Sequence, residues 1–165
     1  MKNGCRDGTN MAEEIERKFL VIDDSWKSSI TRSVHIRDGL IASDDGRKVR
    51  VRISDQSATI TIKGQRVGVI RPEFEYPIPL SDAQELLRMC ESHHLEKRRY
   101  CVPYEGLNWQ IDVYEGTLKG IVLAEIEMKT ANQTFNIPRW IGREVTNDPK
   151  FRKINMLAER LSAAA

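Results

Sequence analysis

Five acidic side chains stand in a pattern that suits a divalent metal ion. Two Glu-x-Glu pairs, Glu14/Glu16 and Glu125/Glu127, each place two carboxylates on one face of a strand, because side chains alternate between the two faces. Asp112 offers further oxygen ligands from a third segment. Oxygen ligands without histidine or cysteine suit hard cations such as Mg²⁺ or Mn²⁺. The sequence therefore predicts a Mg²⁺ or Mn²⁺ site built from these five residues.

Basic side chains repeat with the same alternate spacing. The segment KVRVR at residues 48–52 places three cations on one strand face, and the arginine fork binds two oxygens of a phosphoryl group at once. The predicted ionic faces carry nine cations and seven carboxylates, a net charge of +2. One or two divalent ions would raise this to roughly +4 to +6, against roughly −5 for a free triphosphate. The cations are Lys18, Lys48, Arg50, Arg52, Lys63, Arg71, Lys97, Arg99 and Lys129, and the carboxylates are Glu14, Glu16, Glu73, Glu75, Asp112, Glu125 and Glu127.

The composition excludes several classes of protein. The chain has 165 residues, 40% of them hydrophobic and 30% charged, which is an ordinary globular mixture. With 26 Lys and Arg against 24 Asp and Glu, it is not a generic nucleic-acid coat. Apolar runs of roughly 18 residues are absent from the sequence, and the first ten residues lack the apolar core of a signal peptide, so we expect a soluble, cytoplasmic protein. Cys5, Cys90 and Cys101 form no Cys-x-x-Cys pair, and we expect reduced thiols without structural zinc.

The elements that would position these residues are mostly strands. Alternation with a period of two predicts seven strands and, more weakly, an eighth. Helical periodicity predicts two helices, at 81–95 with a Ser81/Gln84 capping box and at 149–163 after Asp148 and Pro149. We expect residues 1–11 to be a leader or flexible tail and residues 12–165 to be a single domain. The predicted strands are 14–21, 47–54, 58–63, 71–78, 96–102, 108–114 and 122–129, with 35–42 as the eighth.

The two faces of these strands differ sharply in polarity. One face is almost wholly ionic, while the other carries apolar side chains such as Val51, Ile111 and Ile126. Both helices have one apolar face to bury, and the apolar sheet face is large enough to cover them. If seven or eight strands curl to closure, the ionic face lines an interior lumen and the helices pack outside. A lumen this charged is costly to form unless it is wet or filled by a pairing ligand.

A series of motifs along the chain resembles the CYTH, or triphosphate tunnel metalloenzyme, family. The motifs are EIERKFLV, VRVR, TIKG, RPEFEY, EKRRY, WQIDVYEG, LAEIEM and REVTNDPKF, in the family's order from about residue 12 to the C-terminus. The resemblance implies an α+β, mostly β fold: an eight-stranded antiparallel β-barrel, or tunnel, with a charged lumen and helices packed outside. It also implies a divalent metal and a small-molecule triphosphate substrate, with no nucleic acid or membrane partner; homodimer formation stays open.

The same resemblance implies roles for individual residues. Lys18, Glu73 and Glu75 are the candidate catalytic residues, the two glutamates lying on the acidic strand that in some relatives positions the attacking water. The metal ligands would be Glu14, Glu16, Glu125 and Glu127, with Asp112 beside them. The substrate-binding set would be Lys18, Arg50, Arg52, Lys63, Arg71, Lys97 and Arg99.

Several activities fit this resemblance. Short single-domain members resemble inorganic tripolyphosphatases, and thiamine triphosphatase and class IV adenylate cyclase are the alternatives. A module that binds polyphosphate or nucleotide without turnover is an alternative of another class, although a pure anion binder has no use for seven carboxylates. Two departures from the family pattern bear on substrate choice and rate: Leu40 replaces a tyrosine, and the segment 150–158 is one residue longer.

Overall fold

The computed structural model describes residues 13–90 and 94–164. The expected leader at residues 1–11 and the thiol of Cys5 lie outside the described residues. Nine strands and two helices form most of the structure. The strands are β1 (Glu13–Val21), β2 (Arg32–Asp44), β3 (Arg47–Ser54), β4 (Ser57–Lys63), β5 (Ile70–Pro77), β6 (His94–Tyr104), β7 (Leu107–Glu115), β8 (Val122–Glu127) and β9 (Ile141–Glu144), and the helices are α1 (Leu80–Met89) and α2 (Lys153–Ala164).

Eight of the strands close into an antiparallel barrel through β1. The strand order is β5-β4-β3-β2-β6-β7-β8-β1, and β1 also pairs with β5. Glu13–Ile15 of β1 pairs with β5, whereas Glu16–Leu20 pairs with β8, so β1 joins the two edges of the sheet. The predicted eight-stranded barrel is therefore confirmed. The short strand β9, which the alternation did not predict, pairs with the end of β1 on the edge opposite β8, beyond the residues that pair with β5.

Tight turns join neighbouring strands where the chain carries residues that accept positive φ. Asp45 and Gly46, between β2 and β3, have φ of 45° and 76°, and Glu105 and Gly106, between β6 and β7, have 47° and 79°. Positive φ at both central residues matches the twist of a two-residue hairpin. These turns hold the register that keeps the ionic residues on one face.

The outward face of the barrel carries two apolar clusters. Around Trp109, which is fully buried, Phe19 and Trp140 pack edge to face with ring centroids 5.5 Å away in each case. Helix α1 covers a second outward cluster that includes Val51 and Ile53. The prediction that the apolar face lies outside and the ionic face inside is confirmed by these two clusters.

Helix α2 takes a different position from α1. Its Met156 and Leu157 pack against Tyr114 and Leu123, whose strand positions have the parity of the ionic face. The apolar stripe of α2 therefore covers one end of the barrel, rather than the outward face that was expected to cover both helices. The segment Pro149–Phe151 forms a separate 3-10 turn before α2, capped by the Asp148 side chain.

Three local predictions are wrong. Helix α1 ends at Met89 instead of residue 95, because β6 already begins at His94. The predicted Ser81 capping box is absent, since Pro79 occupies the N-cap position without a side-chain cap. Cys101 is disulfide-bonded rather than reduced, whereas Cys90 is free and buried. An odd cysteine count leaves one thiol over but does not exclude one pair, and chain spacing does not say which cysteines meet in space.

Neither helix in the two described ranges is long and apolar enough to cross a membrane.

Candidate active site

The barrel encloses a cavity of about 420 Å³ that is lined by side chains of both charges. Residues of α2, of the turn at Asp45 and Gly46 and of the loop carrying Arg66 also line it. Ten of the predicted site residues line this cavity, and one of them, Glu127, is exposed. They are Glu14, Glu16, Lys18, Arg50, Arg52, Lys63, Arg71, Arg99, Glu125 and Glu127.

The four predicted metal-binding glutamates come together on two neighbouring strands. Glu16 of β1 stands directly opposite Glu127 of β8, and Lys18 stands opposite Glu125. Residues directly opposite in an antiparallel pair have Cβ atoms about 4.5–5.5 Å apart. Glu14 follows on the same face of β1, beside Arg71 of β5. The two Glu-x-Glu pairs therefore form one acidic surface on the cavity wall.

Negative charge is in surplus at Glu16. Burial, together with the neighbouring carboxylates of Glu125 and Glu14, raises the pKa of Glu16 above its usual value. Its ion pair with Arg66 is long, with 3.7 Å between Nη2 and Oε1. A divalent cation placed among these oxygens would relieve the repulsion, and carboxylate oxygens are the donors that Mg²⁺ and Mn²⁺ accept. The residues of this wall therefore fit the metal that the sequence predicts.

Glu14 is held by cations from the two strands that follow β1 around the barrel, β5 and β4. Lys63 Nζ lies 2.7 Å from its Oε1, and Arg71 Nε donates to its Oε2 at 2.7 Å. Burial alone would raise the pKa of Glu14, but Lys63 and Arg71 hold it well below the usual value. Glu14 is thus ionised and connects the acidic wall to Lys63 on β4 and Arg71 on β5.

Asp112 and Lys97 lie behind the cavity wall. Neither is among the lining residues; Asp112 has no exposed surface, and Lys97 is 1% exposed. Asp112 pairs with Lys97 and accepts from Arg99 Nε and Nη2 at 2.6 and 2.8 Å. Arg99 Nη2 also donates to Glu125 Oε2 at 2.6 Å. The structure therefore places Asp112 as a support of Arg99 at the cavity surface, set back from the four glutamates.

The predicted catalytic pair on β5 also lies apart from the cavity lining. Glu73 is buried and forms an ion pair with Lys63. Glu75 is exposed and accepts a hydrogen bond from Thr61 Oγ1 at 3.2 Å, and Thr61 in turn accepts from Arg50 Nη2 at 3.2 Å. Each glutamate therefore contacts a β4 side chain, Lys63 or Thr61, instead of lining the cavity itself. Lys18, by contrast, lines the cavity, with Nζ 3.2 Å from Glu125 Oε1.

The sequence analysis missed several lining residues, among them Asp38 and Lys153. Asp38 of β2 is 3% exposed and accepts from Arg52 Nε at 2.6 Å and from Arg52 Nη2 at 2.9 Å. Lys153, at the start of α2, points Nζ to within 3.9 Å of Asp38 Oδ2. The parity of β2 could have found Asp38, because it stands opposite Arg52 in the sheet. Only the placement of α2 over the barrel end could have found Lys153.

The chain is similar to proteins of one family along most of its length. The sequence profile of the CYTH domain matches residues 12–156. The inorganic triphosphatase of Acetivibrio thermocellus is 42% identical over 148 residues, 89% of this chain and 94% of the relative. That of Nitrosomonas europaea is 32% identical over 144 residues, 84% and 93% of the two chains. A solved structure of an inorganic triphosphatase has a TM-score of 0.63 at 29% identity, covering 90% of this chain and 97% of its own. Motifs, barrel and relatives agree, and the chain belongs to the CYTH domain family.

Proposed function

We propose that this protein is an inorganic triphosphatase, which uses Mg²⁺ or Mn²⁺ to hydrolyse a small triphosphate in the barrel lumen. One observation carries the proposal: a wall of four glutamates and a set of arginines and lysines line the same cavity of about 420 Å³. A polyphosphate chain with bound metal needs both halves, since the cations take its oxygens and the carboxylates take its metal. The names of the relatives support tripolyphosphate as the substrate.

The metal would be held by Glu14, Glu16, Glu125 and Glu127. A divalent ion bound there supplies Lewis-acid polarisation of a phosphoryl oxygen. Glu16, whose pKa is raised by burial and by the neighbouring carboxylates of Glu125 and Glu14, is the main ligand in this proposal. Asp112 would act on the metal site only through Arg99 and Glu125, as the two hydrogen bonds of Arg99 Nη2 indicate.

The cations would bind and orient the substrate. Arg50, Arg52, Lys63, Arg71 and Arg99 reach the cavity from four strands, and we propose that they hold the phosphoryl oxygens in place as the terminal group leaves. Lys18 is the proposed catalytic residue among them, because its ammonium lies beside the metal-binding Glu125 and can stabilise charge there. Lys97 would keep Asp112, and through it Arg99, in position.

Glu73 and Glu75 take indirect roles in this proposal. Glu73 would position Lys63, and Glu75 would position Arg50 through Thr61. The glutamates at the cavity surface, rather than Glu73 and Glu75, would then orient the attacking water. The boundaries of the single domain at 12–165, the cytoplasmic location and homodimer formation stay predictions.

The proposal is tested by phosphate release from three substrates: tripolyphosphate, thiamine triphosphate and ATP, each with Mg²⁺ and with Mn²⁺. We expect tripolyphosphate to give the highest kcat/KM and a chelator to abolish release. Product chromatography of the ATP reactions separates hydrolysis from cyclisation. Metal-dependent turnover of ATP to a cyclic product as the main reaction would replace this proposal with a cyclase, and binding without release would replace it with a binding module.

A further inference from the structure

The carboxylate of Asp38 lies in the basic part of the cavity, where a phosphoryl group would bind. It lines the cavity and fills both donor positions of the Arg52 fork, at 2.6 and 2.9 Å. Two more cations approach the same carboxylate at a longer range. Arg50 Nε lies 3.9 Å from Oδ1, and Lys153 Nζ lies 3.9 Å from Oδ2. One internal anion therefore stands among three cations.

These cations are not fully satisfied by Asp38. The Nε donor of Arg50 is buried and has no hydrogen-bond partner among the described residues. A buried donor without a partner costs free energy and is rare in folded proteins. A tetrahedral phosphoryl group offers three acceptor oxygens and up to two negative charges. It could therefore accept hydrogen bonds from the Arg52 fork and from Arg50 Nε at the same time. The Asp38 carboxylate, at these distances, accepts only those of Arg52.

We infer that Asp38 is an internal competitor of the substrate and its phosphate products: its carboxylate occupies the Arg52 fork in the free protein and gives it up when a phosphoryl group binds. The inference rests on the proposed function, since it takes Arg52 as a phosphate-binding residue. Each anion that uses this fork must first break two charge-assisted hydrogen bonds. Asp38 therefore lowers affinity at this end of the cavity, which favours release of products.

A positioning role for Asp38 gives the opposite expectation. If its carboxylate only orients Arg52 for the substrate, the loss of its charge leaves the guanidinium free to rotate, and anions bind more weakly. If it competes, the same loss frees the fork, and anions bind more tightly. The sign of the change in Kd therefore separates the two roles.

The test is the Kd of tripolyphosphate for the full chain, measured by calorimetry in EDTA so that no metal-dependent turnover occurs. Asp38→Asn keeps the size of the side chain but removes its charge. We expect its Kd to fall about tenfold or more, on the scale of a charged hydrogen bond. Asp44→Asn is the matched control, because Asp44 lies on the same strand, is exposed and is not among the lining residues. It should change Kd less than twofold.

Each outcome decides the question. An Asp38→Asn Kd equal to or above that of the parent overturns the inference. Absence of tripolyphosphate binding by the parent, with and without Mg²⁺, overturns the proposed function instead. If Asp38→Asn does not fold in buffer, its melting is followed with increasing tripolyphosphate in EDTA. Recovery of folding by the anion supports the inference, because the ligand then replaces the carboxylate, and failure to recover overturns it, because Asp38 is then a structural counterion.

Discussion

Replacement of Asp112 by asparagine should destabilise the protein strongly. Asp112 is fully buried, and its two oxygens face Lys97 and Arg99. Burial alone would raise the pKa of Asp112, but Arg99 and Lys97 lower it below its usual value, so the group is ionised in the folded protein. The Asp112→Asn change leaves the buried Lys97 and the cavity-lining Arg99 with one anion fewer. Removal of one partner from a buried ion pair costs about 3–5 kcal/mol.

The loss should be visible as a lower melting temperature. For a chain of this size, each kcal/mol corresponds to roughly 2–4 °C, so the expected decrease is about 6–20 °C. Thermal unfolding at neutral pH measures it, with urea unfolding as a second probe. The control is Glu85→Gln, which removes a carboxylate from the exposed ion pair with Arg88 and should cost less than about 1 kcal/mol.

The same variant separates a structural counterion from a metal ligand. If Asp112 supports Arg99 from behind the wall, Asp112→Asn should raise KM for tripolyphosphate while the metal concentration for half-maximal activity changes little. An unfolding free energy within about 1 kcal/mol of the parent, together with a large increase in the metal requirement, would refute the interpretation of Asp112 as a buried counterion.

Two further changes should raise stability, and the first of them should also abolish metal-dependent activity. Glu16→Gln should increase the melting temperature in EDTA, because the raised pKa of Glu16 means that its ionised form destabilises the folded protein above the ordinary glutamate pKa. The same change should abolish metal-dependent phosphate release. An unchanged response to Mg²⁺ would show that Glu16 is not a metal ligand. Lys153→Met should also increase the melting temperature at pH 7, because burial and the charge of Lys97 lower the pKa of Lys153 well below its usual value. The stabilisation should shrink as the pH rises toward the ordinary lysine pKa, where the unfolded chain also loses the proton, and a stability gain that grows with pH would contradict this assignment.

The sequence could predict the face on which a side chain lies, but not its depth. Period-two alternation assigned Glu14, Arg52 and Asp112 to the inward face. The structure places the first two at the cavity surface and the third behind it. A small barrel fills part of its interior with side chains, so only the residues nearest to the open space line it. The distance of a side chain from that space depends on the strand register and on which end of the barrel is covered. The alternation of polar and apolar residues predicts neither.

Strand β2 and helix α2 each combine apolar packing with a charged group in the lumen, and the sequence pattern shows only one of these two features. In β2 the inward positions mix Ile36, Asp38 and Leu40, so the strand lacks the clean ionic face that identified the others. In α2 the apolar stripe indicated packing correctly at Leu157 but not at Leu161, which is exposed, and the start of the helix also carries Lys153 into the cavity. A helix that closes a charged barrel end must supply apolar contacts to the wall and a polar group to the lumen. Helical periodicity predicts the apolar contacts but not the polar group.

The lumen is stable in the free protein because its charges neutralise one another, and this links stability to affinity. Glu14 is paired with Lys63 and Arg71, and Asp38 with Arg52. A triphosphate can bind these cations only by replacing carboxylates that already bind them, so its affinity is the difference between two sets of charge-assisted hydrogen bonds. A bound divalent ion changes that difference, because it neutralises the glutamates as the phosphoryl oxygens take over their cations. Metal and triphosphate should therefore bind cooperatively, since each removes the electrostatic cost that the other would leave.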